Sequence, residues 1–229
     1  MLIDNPKLRD KLHVFKDRFD AGCQLAEMLS AYKESPSIVF ALPAGGVPVA
    51  AVIAEKLALP LDVAVVSKIT LPWTTEAGFG AVAFDGTTIL NEEMLPGLGL
   101  SDEQMQERIK QTAEKVERRT RKLRDNTQMP DLSDRQVFLV DDGIASGITM
   151  QTAVKAVKKL NPGRLMIAVP TAHGETLTRL IGMVDDIYCA NVRRGFGFAV
   201  ADAYKNWSDV DEGEALKILQ KFKKSFPHL

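Results

Sequence analysis

Cysteine, histidine and aromatic residues are all scarce in this 229-residue chain, and so is net charge. The two cysteines, Cys23 and Cys189, stand far apart in apolar settings, one in an amphipathic helical pattern and one at a strand end. They read as buried free thiols rather than a disulfide, which fits a reducing, cytoplasmic compartment. His13, His173 and His228 lack the spacing of metal ligands. His173 falls just after a strand end, where a turn role and a substrate contact are both open. With 29 basic and 30 acidic residues the net charge is −1, so no surplus of one sign announces a polyanion, and nucleic acid is not the expected partner. A bilayer-spanning run is missing too: residues 37–54 are uncharged but contain Pro43, Gly45, Gly46 and Pro48, which makes them a strand, a turn and a helix. Asp4, Lys7, Arg9 and Asp10 precede any apolar run, against a secretory signal.

What the chain does have is alternation of short apolar strands with amphipathic helices. A helix capped by Asp20 runs to about Lys33, followed by a strand over 37–42, a helix over 47–59 and a second strand over 61–68. Residues 78–84 and 87–90 flank Asp85 and Gly86, a pair that favours a tight hairpin turn. Ser101, with Gln104 three residues on, has the form of a capping box at the head of a long charged helix ending near Arg124. Strands over 137–140, 164–170 and 185–190 alternate with helices over 148–160 and 175–181, and a last helix covers 212–224. This rhythm predicts a doubly wound, mainly parallel α/β sheet in one domain over 1–229, with 70–130 as a hairpin and helical insertion. The charges at the end of the long helix, Arg118, Arg119, Arg121, Lys122 and Arg124, are accounted for by intrahelical ion pairs and the helix dipole, with an interface or RNA contact as the other reading.

Residues 137–149 read VFLVDDGIASGIT. An uncharged β-rich stretch delivers Asp141 and Asp142 to the carboxyl end of a buried strand, the edge of an open α/β sheet where ligands bind. The small-residue loop that follows enters a helix, whose first amides, with the Ser146 and Thr149 hydroxyls, suit an anion. Two carboxylates beside a phosphate site would repel it unless they face hydroxyls or a divalent cation. A phosphorylated sugar meets both conditions.

The segment resembles the phosphoribosyl pyrophosphate (PRPP) motif of the type I phosphoribosyltransferases. That resemblance implies a five-stranded parallel core, a mobile hairpin after an early strand, and a C-terminal hood, here 191–229. It gives Asp141 and Asp142 the ribose hydroxyls, and Gly143, Ile144, Ala145, Ser146, Gly147, Ile148 and Thr149 the loop around the 5'-phosphate. Mg2+ would arrive with PRPP, Asp141 and Asp142 being candidate ligands. Residues 42–48, LPAGGVP, take the place of the pyrophosphate loop, with Ala44, Gly45 and Gly46 as amide donors and a strained peptide bond there. Read alone, a glycine pair at a strand-to-helix turn is equally a tight turn. Lys68, read as the last residue of the second strand, is the cation expected to meet pyrophosphate, and Arg18 is either a second positive charge at the mouth or a surface residue. The stretch 72–84, with Trp73 and Glu76, has the place of the loop that closes over substrate, Glu76 being a candidate contact. Phe196 and Phe198 are candidates for stacking on the acceptor, with core packing as the alternative. Ala145 stands where 6-oxopurine members usually have an aspartate, which weakens a hypoxanthine or guanine acceptor.

The implied activity is Mg2+-dependent transfer of ribose 5-phosphate from PRPP to a nitrogen acceptor, in the first place a nucleobase, with release of pyrophosphate, in cytoplasmic nucleotide metabolism. A homodimer is compatible with this reading. Its rival is a non-catalytic PRPP- or nucleotide-sensing regulator of the same fold, and a more distant one is a flavodoxin-like binder, against which the adjacent aspartates argue.

Overall fold

The computed structural model describes residues 1–74, 78–195 and 197–227, so Glu76, Phe196 and His228 lie outside the described residues. The apolar strands β2 (Ser37–Ala41), β7 (Gln136–Val140), β8 (Arg164–His173) and β9 (Asp186–Arg193) are buried on both faces. Successive side chains of a strand point to opposite sides, so Val39, Ala41, Phe138 and Val140 enter one core, and Ile38, Phe40, Val137 and Leu139 the other. Helices α1 (Arg18–Met28) and α2 (Gly46–Leu57) cover the first face, and α4 (Ile148–Lys158) and α5 (Gly174–Ile181) the second. Doubly wound packing follows from the period-2 strands and the helices that alternate with them.

The parallel sheet has six strands, not five, in the order β1-β9-β8-β7-β2-β3. The extra strand, β1 (Leu2–Asp4), pairs in parallel with β9, Leu2 opposite Ile187. Three residues next to charged neighbours are too few to show a period; the sheet edge imposes the conformation. The stretch expected as one strand over 61–68 is two. β3 (Leu61–Val63) pairs with β2, and the chain then leaves the parallel sheet to form β4 (Val66–Thr70), which pairs antiparallel with β5 (Gly78–Ala83). β5 pairs in turn with β6 (Thr88–Leu90), making a second, three-stranded sheet. A continuous apolar run reports burial but not which sheet a strand joins.

α3 (Asp102–Arg124) opens with the expected capping box at Ser101 and Gln104. Its basic end works between elements rather than mainly within the helix. Among the described residues only Arg121 of this basic group pairs within the helix, with Glu117 four residues back, whereas Arg119 and Lys122 both reach Glu212 at 2.8 Å and the buried Arg124 reaches Asp62 at 2.9 Å. Glu212 begins α6 (Glu212–Ser225), so these pairs tie α3 to the C-terminal helix and, through Asp62, to β3. α1 begins earlier than expected: Asp17, in extended conformation, caps it by accepting the Asp20 amide at 2.9 Å, while the Asp20 carboxylate accepts the Lys16 amide. Among the described residues no helix is long and apolar enough to cross a membrane.

Candidate active site

The strand order reverses between β7 and β2: the helix after β2 lies on one face and leads to β3, and the helix after β7 lies on the other and leads to β8. In open α/β sheets the crevice at such a reversal, beyond the carboxyl ends of the strands, is where ligands bind. Ala41 is opposite Val140 in the register, so residues 42–46 and 141–147 emerge side by side.

The two loops touch. A Cβ added to Gly45 would lie 2.1 Å from Asp142 Oδ2, and one added to Gly46 would lie 2.6 Å from the Val140 carbonyl. These glycines let the first loop press against the acidic pair, a close approach that any side chain would block. The Gly46 amide is already bonded to the Leu42 carbonyl at 3.1 Å, so of the three donors expected in this loop only the Ala44 and Gly45 amides lack a partner among the described residues. The Pro43–Ala44 peptide is cis.

In the second loop Ile144 is not available to an anion, because it extends the pairing with β8: its amide donates to the Thr171 carbonyl at 3.0 Å and its carbonyl accepts from His173 at 3.1 Å. Its buried side chain joins the core beyond the end of β7. Beyond it the loop turns outward. The Ala145 carbonyl accepts from Thr176 Oγ1 at 2.6 Å and the Ser146 carbonyl from Arg179 at 3.2 Å. With its carbonyls tied to α5, the loop leaves the amides of Ala145, Ser146 and Gly147 without partners among the described residues, and α4 has no side-chain cap. Gly147 sits at φ +83°, where a β-carbon is disfavoured. The Ser146 side of the loop opens on a cleft of about 450 Å³ shared with Ile148, Arg179 and residues around Asn91 at the end of the second sheet.

Asp141 and Asp142 are half-buried, and the Asp142 amide donates to Asp141 Oδ1 at 2.9 Å. Burial and the neighbouring Asp142 push Asp141 well above the usual carboxylate range. Burial also raises Asp142, against the opposing pull of Arg18. Arg18 donates from Nε to Asp142 Oδ2 at 2.9 Å, and its Nη2 lies 2.9 Å from the same oxygen. It is therefore no surface residue but a partner of the acidic pair. Tyr204 donates its hydroxyl to the Asp142 carbonyl at 2.5 Å, and the N-terminal segment pairs with the same stretch, the Phe15 amide meeting the Ala203 carbonyl at 3.0 Å. The cap over the acidic pair thus takes in residues from both ends of the chain.

Lys68 is not at the end of a main-sheet strand. It lies in the middle of β4 opposite Ala81, with an exposed side chain, because the chain changes sheets before reaching it. Arg119 does touch the first loop, donating to the Pro43 carbonyl at 3.4 Å and to Ser67 at 3.0 Å. Nothing in the local sequence marks it: an arginine in a helix full of charge shows its partners only once α3 is packed. Phe198 lies edge-on to His173, with ring centroids 5.7 Å apart, and under the Arg193 guanidinium at 4.9 Å. The ring is half-buried.

The family model for the phosphoribosyl transferase domain matches residues 86–202, about half of the chain and the whole of the acidic loop. The chain belongs to the phosphoribosyl transferase family. Two Mycobacterium tuberculosis relatives, from strains CDC 1551 and H37Rv, are named provisionally as phosphoribosyl transferases and are each 33% identical over 94% of this chain. This family member spans 48% of their length, so it corresponds to about half of those proteins. A crystal structure of protein TT1426 from Thermus thermophilus is 30% identical, with a TM-score of 0.72 covering 91% of this chain and 98% of that one. The α/β architecture with its mainly parallel central sheet is therefore a recurring one.

Proposed function

We propose that the chain takes PRPP and transfers its ribose 5-phosphate to a nitrogen acceptor, releasing pyrophosphate. One observation carries this reading: an acidic pair and a loop with outward amides stand together at the switch point of the sheet, directly against a second strand-to-helix loop. Asp141 and Asp142 meet the ribose hydroxyls. The amides of Ala145, Ser146 and Gly147, the first turn of α4 and the Thr149 hydroxyl hold the 5'-phosphate. The Ala44 and Gly45 amides face the leaving pyrophosphate, and Lys68, exposed on β4 and without an ion pair among the described residues, is free to meet it.

Substitution at the sugar carbon passes through a cationic state. The chain contributes by orienting ribose, by donating N–H groups where negative charge grows on pyrophosphate, and by excluding water. Among the described residues no group of three or more acidic, histidine or cysteine side chains could hold a metal. The donor set fits Mg2+ delivered by substrate, which needs one or two carboxylates and otherwise phosphate and water oxygens. Asp141 is the carboxylate without a cationic partner and so the one best placed to share it. When bound, Mg2+ would neutralise the departing charge.

The test is calorimetric titration with PRPP, with and without Mg2+, followed by a pyrophosphate-release screen over nucleobases and other amines. Binding that needs Mg2+, with release for at least one acceptor, is expected. Binding without release for any acceptor identifies the sensing regulator, and no binding removes PRPP as the ligand.

A further inference from the structure

The acidic pair is adjacent in sequence but unequal in surroundings. Asp142 Oδ2 takes both contacts from Arg18 and lies against the backbone of Gly45, whereas no cation is paired with Asp141 among the described residues. Arg18 comes from a point 124 residues away and is itself held on three sides. Its Nη1 donates to the Ser208 carbonyl at 2.7 Å, its guanidinium carbon stands 3.9 Å from the Trp207 ring centroid, and only 9% of the residue is exposed. A buried guanidinium fixed by a carbonyl and an aromatic face is preorganised, unlike a surface arginine that must lose rotamer freedom to pair.

We infer that Arg18 is a positioning residue for PRPP. By holding Asp142 Oδ2 it fixes the carboxylate so that Oδ1 is presented to one ribose hydroxyl, and it leaves Asp141 as the acid that is free to adjust to the ligand. This rests on the proposed PRPP site and adds to it a residue outside both loops. The arrangement also links ribose recognition to the cap: Arg18 touches Ser208 and Trp207, and Tyr204 holds the Asp142 carbonyl.

A double-mutant cycle tests this on the full chain, with wild type, Arg18→Met, Asp142→Asn and the double variant. Each is measured for PRPP–Mg2+ affinity, for inorganic phosphate affinity and for melting temperature. Arg18→Met should weaken PRPP at least about tenfold, the scale of a lost charged hydrogen bond, while phosphate binding stays as in wild type. It should also lower the melting temperature, because a buried carboxylate is left alone. The double variant should regain the melting temperature yet bind PRPP no better than Asp142→Asn. If Arg18→Met binds PRPP like wild type, or if the double variant regains wild-type affinity, the pair is only a strut and the inference fails. Should Arg18→Met not fold, Arg18→Lys replaces it: the charge stays but the two-pronged contact goes, and PRPP affinity should fall several-fold; affinity equal to wild type overturns the inference. A wild-type protein that does not bind PRPP overturns the underlying function and this inference with it.

Discussion

The two loops at the switch point are both glycine-bearing turns from strand to helix, yet they are built for opposite ends. The first is closed by contact. Gly45 and Gly46 lie against Asp142 and Val140, and the Gly46 amide is turned back on Leu42. The second is held open by its carbonyls, which Thr176 and Arg179 take, so its amides face away from the protein. In one loop glycine permits close packing between two protein segments; in the other Gly147 permits a left-handed turn. The same residue type therefore marks rigidity of the acidic pair in one place and presentation of donors in the other.

The sharpest way to break this contrast is Gly45→Val. Glycine at this position has an ordinary helical backbone, φ −59°, so the penalty comes from collision with Asp142 rather than from strain. Because the struck atom is the oxygen Arg18 holds, the acidic pair must move with it. A loss of about 3 kcal/mol in stability is expected, at the upper end of overpacking costs, together with loss of binding for both pyrophosphate and PRPP. Chemical unfolding and titration check this; a folded Gly45→Val of wild-type stability would mean that the first loop is an independent turn. Gly147→Val should do less. A positive φ and a Cβ 2.4 Å from the Thr176 methyl together cost about 2 kcal/mol. Here inorganic phosphate and PRPP should both weaken by about tenfold or more, while pyrophosphate alone binds as before, since the first loop is untouched. Equal losses for all three ligands would show that the loops fold as one unit.

Features set by neighbours in the chain were legible in the sequence, and features set by distant partners were not. The motif strand, the aspartates at its carboxyl end and the capping box at Ser101 all follow from residues within a few positions of one another. The division of 61–70 between two sheets does not, because Val63 and Val66 are equally apolar and only the available partners differ. Lys68 lies in β4 rather than at a main-sheet strand end for that reason. Ile144, loop by its local sequence, forms an isolated bridge to β8 through the Thr171 carbonyl and the His173 amide. Arg18 and Arg119 are the clearest cases: each is one arginine among many until tertiary packing brings Asp142 or Pro43 within reach. Asp17 and Asp20, acids three residues apart, present the same local capping signal, and only the extended backbone at Asp17 separates them.

The smallest effect expected on the fold carries the most information about the pair. Asp141 is half-buried beside a second carboxyl and has no cationic partner among the described residues, and desolvation with the neighbouring charge makes its carboxyl harder to ionise folded than unfolded. A carboxyl raised in this way holds its proton more tightly in the native state, so its contribution to stability falls as pH rises from the ordinary carboxylate range through the raised value. Asp141→Asn removes that loss and keeps an oxygen to accept the Asp142 amide, the bond that Oδ1 now makes at 2.9 Å. At neutral pH the variant should be more stable than wild type by about 1 kcal/mol, or about 2–4 °C in melting temperature for a chain of this size. Below the ordinary carboxylate range, where the acid is protonated in both states, the difference should vanish. The same substitution should weaken PRPP by at least about tenfold, the scale of a lost charged hydrogen bond. A gain in stability paired with a loss of ligand is the mark of a site built against the interest of the empty fold. If Asp141→Asn instead lowers the melting temperature at neutral pH and leaves PRPP affinity unchanged, then Asp141 serves the loop-to-loop packing, and the unequal surroundings of the two acids have no functional counterpart.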